Sequence, residues 1–357
     1  MKFSIRIMVL CFGAALPVRS EVGLKGVVMN LHAGQSVKTV ETSLRALRSI
    51  GGRHVLFRFC EYQYDAQSDS IAPLPTQTPP YRLIERASHL ATTLGMTFSY
   101  MPIVLLEKPA SKEEWRGRLR PRDKARWLGE YRGMTLKYAR LAQRTGALAL
   151  SIGSELSWAE YEVDFWLDLI RATRAVFLGK LFYSFNWDHL STTAAWRKLD
   201  FLGVTGYFEI AHRPEEPLTK WQVAARWAAI PAPTTRWGSL MRKKNAYTEI
   251  GYPSRQGALW DPWDHDLSPR PYDPQAQKRA FQGFIASLRH TDVEGVFFYE
   301  WVAPIEKGDR GYSPWGKPAQ GVWRSWFSHQ KATSSIDSVK GKASPTPKSP
   351  SRLKKRR

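Results

Sequence analysis

Eight short runs rich in β-branched and aromatic residues recur along the chain, with longer amphipathic stretches between most of them. The runs are LKGVVMN (24–30), HVLFRFC (54–60), MTFSYMPIV (96–104), ALALSIGSE (147–155), LFYSFNW (181–187), FLGVTGYF (201–208), NAYTEIGY (245–252) and VEGVFFYEW (293–301). Between them, Trp127, Tyr131, Met134, Tyr138 and Leu141 recur in steps of three and four, as do Trp166, Ile170, Thr173 and Phe177. Asp273 followed by Pro274 marks a helix start, after which Ala280, Phe284 and Leu288 fall on one face. Strands alternating with helices imply a parallel sheet. Eight such units over about 310 residues fit a single α/β domain, a (β/α)8 TIM barrel. The alternative is a doubly wound sheet, which ordinarily carries a glycine-rich phosphate turn after an early strand. VVMNLHAGQS is no such turn.

The two ends of the chain read differently from this body. Residues 1–20 carry Lys2 and Arg6, then an apolar run from Ile7 to Leu16, with Ser20 at a cleavage boundary. That pattern predicts a secretory signal, too short to span a bilayer. Export would remove Cys11 and leave Cys60 alone, so no disulfide and no cysteine-bound zinc is expected. Residues 331–357 lack aromatics and are rich in Ser, Pro and Lys, with nine Lys/Arg against one acid. They read as a disordered basic tail. The full chain carries +21, and the 21–330 body keeps roughly half of it. A secreted or periplasmic protein of this charge suits an anionic envelope polymer as a partner for its tail.

Polar and aromatic residues gather where the strands end. Asn30 and His32 close the first run, and Arg58 and Glu61 lie in or just after the second. Glu155 ends the fourth; Asn186, Trp187 and Asp188 follow the fifth; Tyr207 ends the sixth; Glu249 lies in the seventh; Glu300 and Trp301 end the eighth. In a barrel those ends form the catalytic rim. Two carboxyl groups facing one cleft are what glycoside hydrolysis requires, one to protonate the leaving oxygen and one to attack carbon or activate water. The chain holds 15 tryptophans, and Trp158, Trp187, Trp260, Trp263, Trp301 and Trp315 fall at strand ends or in polar loops. Flat indoles suit the apolar faces of sugar rings. Asp261, Asp264, His265 and Asp266 form a dense cluster without the spacing of a calcium-binding EF-hand loop. No Walker loop or nucleophile-elbow serine occurs, so neither cofactor nor metal is called for.

With these residues in view, the chain resembles glycoside hydrolase family 113, a group of β-mannanases within the retaining (β/α)8 glycosidases. The likeness runs over about residues 22–328, through KGVVMN, the segment from Trp115 to the fourth strand, FNWD, DFLGVTGYF, YTEIGYPS, DPQAQKRAFQGF and GVFFYEW. It implies Glu155 as acid/base and Glu249 as nucleophile. It implies a hydrogen bond from Tyr207 to the nucleophile, Trp301 as the floor of the attacked-sugar subsite, and Arg58 holding Glu249 ionised. It also implies Asn30, Asn186 and Trp187 as sugar contacts. The wider clan often places Asn before the acid/base, where this chain has Ser154. The run from Arg116 to Arg126 is strongly basic and suits an acidic polymer better than neutral mannan.

The leading expectation is a secreted retaining β-glycanase directed at mannan. The alternatives are a glycanase for a bacterial envelope or exopolysaccharide polymer, and a carbohydrate-binding barrel without catalysis. No specific nucleic-acid partner is expected, since strand-end carboxylates would repel phosphates.

Overall fold

The computed structural model describes residues 22–265, 270–288 and 291–328. The expected signal and basic tail lie outside the described residues. Eight parallel strands pair in chain order and close on themselves: β1 (Val22–Asn30), β2 (His54–Gln63), β3 (Thr97–Leu106), β4 (Ala149–Ser154), β5 (Lys180–Asn186), β6 (Phe201–Thr205), β7 (Asn245–Gly251) and β8 (Val293–Tyr299). All eight expected runs are strands of one (β/α)8 barrel.

The surrounding helices are α1 (Val37–Ser49), α2 (Tyr81–Thr93), α3 (Lys124–Thr145), α4 (Val163–Arg174), α5 (Lys220–Ala229), α6 (Pro231–Met241), α7 (Pro274–Ser287) and α8 (Pro318–Ser328). Their starts follow local chemistry. Asp123 accepts from the Arg126 N–H to cap α3, and Asp273 accepts from the N–H groups of Gln275 and Ala276 to cap α7. The expected stripe Trp127, Tyr131, Met134, Tyr138 and Leu141 is the buried face of α3. One crossover departs from the rhythm. Between β5 and β6 the chain makes only a 3₁₀ turn, Ala194–Lys198. Trp196 from that turn is fully buried against Trp166, Tyr183 and Phe185, so one indole fills the layer that a helix would otherwise cover.

The strands alternate between two cores. Val28, Leu56, Phe182 and Phe297 point into the barrel. Their neighbours Val27, Val55, Tyr183 and Phe298 pack outward under the helices. The alternation decides what each strand end can offer. Continued by two residues, the inward rows of β1 and β2 reach Asn30 and Arg58. Glu61 falls on the outward row, where it is buried and takes hydrogen bonds from Lys137 (2.5 Å) and the Tyr138 hydroxyl (2.7 Å) of α3.

Candidate active site

Both expected carboxylates sit where a strand breaks its register. In β4 the pairing with β5 shifts between Ser151 and Ser154, and in β7 the pairing with β8 shifts between Tyr247 and Ile250. Such bulges re-aim side chains at a barrel rim. Gly153 lies within the first shift, where a Cβ would come within 2.6 Å of the Tyr183 ring and 3.1 Å of the Tyr131 hydroxyl. The chain then turns sharply. Glu155 takes φ +54°, left-handed space that a non-glycine residue seldom occupies. Its N–H donates to Ser184 O at 2.8 Å, and the next N–H, of Leu156, donates to the Tyr183 hydroxyl at 2.7 Å.

The Glu155 carboxylate receives Arg116, whose Nη2 lies 2.5 Å from Oε2. Arg116 belongs to the 3₁₀ turn Arg116–Arg118 in the long β3–α3 connection. The rest of the basic run points elsewhere: Arg120 pairs with Glu114, Lys124 with Glu162, and Arg126 reaches Ser70.

Glu249 is buried and held from two sides. The Tyr207 hydroxyl donates to its Oε2 at 2.7 Å, and Arg58 Nε lies 3.7 Å from Oε1. Arg58 also donates through Nη1 to Asn30 Oδ1 (2.9 Å) and approaches the Tyr299 hydroxyl (3.4 Å). Asn30 in turn donates through Nδ2 to Tyr299 (3.2 Å) and to Glu300 Oε2. Asn30, Arg58, Tyr207, Glu249, Tyr299 and Glu300 therefore form one network across β1, β2, β6, β7 and β8.

Burial is the largest influence on Glu249 and pushes its carboxyl above the usual range. Arg58 and the Tyr207 hydrogen bond oppose the shift, while the nearby charge of Glu155 adds to it. Arg58 thus offsets desolvation without reversing it, which differs from the expectation that it simply holds Glu249 ionised. Burial likewise lifts Glu300, with Arg58 and Asn30 opposing. For Arg58 itself, burial works against the charge, and Tyr299, Glu249, Cys60 and Tyr207 together outweigh it, so the net shift is upward.

Several expected residues stand outside this network. Trp301 is fully buried in the layer beneath the helices, where its indole N–H donates to Ser43 O at 2.8 Å and its ring packs against Trp315 and Trp323. It offers no face to a sugar. The in–out alternation of β8 stops where the strand ends at Tyr299, so the inward aromatic at this position is Tyr299, packed edge-on to Tyr207. Trp158 is half-buried and packs edge-on to Trp127. Asn186 is half-buried and accepts, through its side chain, the N–H of Trp187. Trp187 packs on Phe208 and also borders the inner core. Asp261 and Asp264 are engaged by Arg255 and Arg270 at 2.7–3.7 Å; Asp266 lies outside the described residues.

Sequence reasoning missed Tyr299 and Arg116 as individuals. Arg116 was hidden inside a run whose other members face solvent. It also missed Glu160, fully buried five residues beyond Glu155. The Tyr183 hydroxyl donates to Glu160 at 3.0 Å, and burial pushes its carboxyl up to about 7.

Five buried polar atoms around the rim have no hydrogen-bond partner among the described residues: Arg58 Nε, Arg116 Nε, Ser154 Oγ, Trp158 Nε1 and Glu249 Oε1. Other such atoms are spread through the barrel, as at Thr173, Trp227 and Trp323; these five belong to the rim that carries Glu155 and Glu249.

Comparison with known proteins follows this geometry. The sequence pattern of Glycoside Hydrolase Family 113 matches residues 32–317. No curated protein sequence matches the chain. Among solved structures, a GH113 β-mannanase from Alicyclobacillus acidocaldarius superposes with a TM-score of 0.74 at 23% identity, covering 86% of this chain and 98% of that one. A GH113 β-1,4-mannanase gives 0.74 at 20% identity, covering 87% and 100%. A family 5 mannosidase from Rhizomucor miehei gives 0.55 at 10%, covering 87% and 93%. These similarities bear on the fold, while the family match spans most of the chain. The chain belongs to Glycoside Hydrolase Family 113 and is a retaining glycoside hydrolase.

Proposed function

We propose that this enzyme cleaves a β-linked, mannan-type polysaccharide by double displacement, with Glu249 as nucleophile and Glu155 as acid/base. In the first step a Glu249 oxygen attacks the anomeric carbon. The bond to the glycosidic oxygen breaks, and Glu155 gives that oxygen its proton, leaving a glycosyl ester on Glu249. In the second step water attacks the same carbon, Glu155 takes the water's proton, and Glu249 departs as carboxylate. Two inversions retain the configuration. Tyr207 and Arg58 hold the nucleophile and steady its charge as it is released; Asn30 and Tyr299 fix Arg58.

The observation that carries this reading is the pair of carboxylates at one rim in unlike settings. Glu249 is buried between Arg58 and Tyr207, Glu155 is paired with Arg116, and the Glu155 charge is felt at Glu249. Unlike settings are what separate an acid from a nucleophile. The mannan assignment draws on what the superposable family members act on. The test is reducing-sugar release across a panel of purified β-glycans, with Glu249→Gln as control. Release from 1,4-β-mannan that the variant lacks supports the reading; equal release by both proteins defeats it.

The cationic, apolar 1–20 segment favours export, and the basic 331–357 tail would then hold the enzyme against an anionic envelope polymer. Among the described residues no helix is long and apolar enough to cross a membrane.

A further inference from the structure

Arg116 poses a problem for the chemistry just described, and its resolution names the substrate more narrowly. The guanidinium and the Glu155 carboxylate are 12% and 9% exposed and lie 2.5 Å apart. Guanidinium stays charged at any relevant pH. When Glu155 carries the proton it must deliver, Arg116 loses its counter-charge in a place nearly closed to water. A buried, uncompensated charge is strongly unfavourable.

The other carboxylates do not make up the loss. Glu249 is engaged by Arg58 and Tyr207. Glu300 is engaged by Asn30 and lies in the network around Arg58. While Glu155 holds its proton, then, Glu249 is the one catalytic glutamate still charged and both arginines remain; the first step passes that charge to Glu155 as Glu249 becomes an ester. A neutral sugar cannot restore that balance, but a sugar bearing a carboxylate can.

The geometry of Arg116 fits such an acceptor. Nη2 is committed to Glu155, while Nε is buried and has no acceptor among the described residues. The fork of an arginine matches a carboxylate with two parallel bonds. The turn carrying Arg116 also leads from a groove of about 860 Å³ lined by Lys112, Glu114, Trp260, Trp263 and Arg270 among others. Three of the four acidic side chains there are paired with cations, Glu114 with Arg120 and Asp261 and Asp264 with Arg255 and Arg270, while Glu209 accepts from the Trp263 indole.

Building on the proposed two-glutamate reaction, we infer that Arg116 is a specificity-determining residue for an acidic glycan, a β-linked backbone with a uronate or other carboxylate-bearing unit beside the scissile bond. The carboxylate of the substrate takes Arg116 from Glu155 on binding, which frees Glu155 to hold its proton. Neutral mannan is cut, but less efficiently.

The experiment uses the full enzyme on one uronate-bearing β-mannose polymer and on the same polymer after chemical reduction of its carboxyl groups, with plain 1,4-β-mannan alongside. Wild type should favour the acidic form over its reduced counterpart by about tenfold or more in kcat/KM, the scale of one charge-assisted contact. Raised salt should shrink that preference. Arg116→Gln should collapse the ratio toward one, and Arg116→Lys should keep part of it. A wild-type ratio of one or less, or a ratio unchanged in Arg116→Gln, overturns the inference while leaving the glycanase reading intact. Failure to cut any of the three polymers would instead sink the glycanase reading on which it rests.

Discussion

At the residue scale, Arg58 has a measurable consequence. Glu249 attacks as a carboxylate, and its pKa is already raised by burial with Arg58 as the main opposing influence. Replacing Arg58 by Met removes that opposition, so the acid limb of the kcat/KM profile should move to higher pH by about one unit or more. An unmoved acid limb would mean that Arg58 does not govern the nucleophile. Glu160 gives a stability test with a definite sign. Its folded pKa of about 7 lies above the ordinary carboxylate value, because burial favours the neutral form, with Ser191 and Tyr183 opposing and Glu155 adding. A raised carboxyl contributes stability that is present below its unfolded pKa and lost as pH rises through the folded value. Glu160→Gln should therefore match wild type near pH 4 and exceed it progressively toward pH 8 in thermal unfolding. A constant difference across that range would contradict the assignment.

The residues themselves were unevenly legible. Glu155 and Glu249 stood out because a charge at the end of an apolar run needs a use. Trp301 misled because residues two apart share a face only while the strand lasts, and β8 ends at Tyr299. Arg116 was visible only as one cation among many, since its distinction is where a long loop brings it.

At the scale of elements, the eight strands could be read from composition because each is short, apolar and bounded by helical periodicity. The β5–β6 crossover could not. Trp196 substitutes for a helix through packing with side chains of α4 and β5, which no local pattern announces. That substitution has an energetic signature. Truncating a fully buried tryptophan costs about 3–5 kcal/mol, and Trp196→Ala should lower the unfolding free energy by that amount in denaturant titration. A loss below about 1 kcal/mol would show that the turn is not holding the layer. The two register shifts were equally unreadable, yet they decide the site. A strictly alternating strand would not set Thr248 and Glu249 as it does, with Thr248 bonded to Ser184 of β5 and Glu249 to Tyr207.

At the scale of the molecule, one barrel gathers residues far apart in sequence onto a single rim: Asn30, Arg58, Arg116, Glu155, Tyr207, Glu249 and Tyr299. The closed strand order brings them together, and the inward row of each strand selects which residues face the cleft. Net charge, conspicuous in the sequence, resolves into different components. Part lies in the terminal segments, while Arg58 and Arg116, the cations that matter to the site, are paired with the catalytic carboxylates and add nothing to the excess. Composition could register the excess but not that division.

The central claim is that Glu249 forms a covalent bond to the sugar. A mannosyl fluoride with fluorine at C2 slows the second step and lets the ester accumulate, so intact-mass measurement followed by peptide mapping locates it. The account predicts one added sugar, on the peptide containing Glu249, and none on Glu249→Gln. A stoichiometric adduct on any other residue, or one that persists in Glu249→Gln, would contradict it.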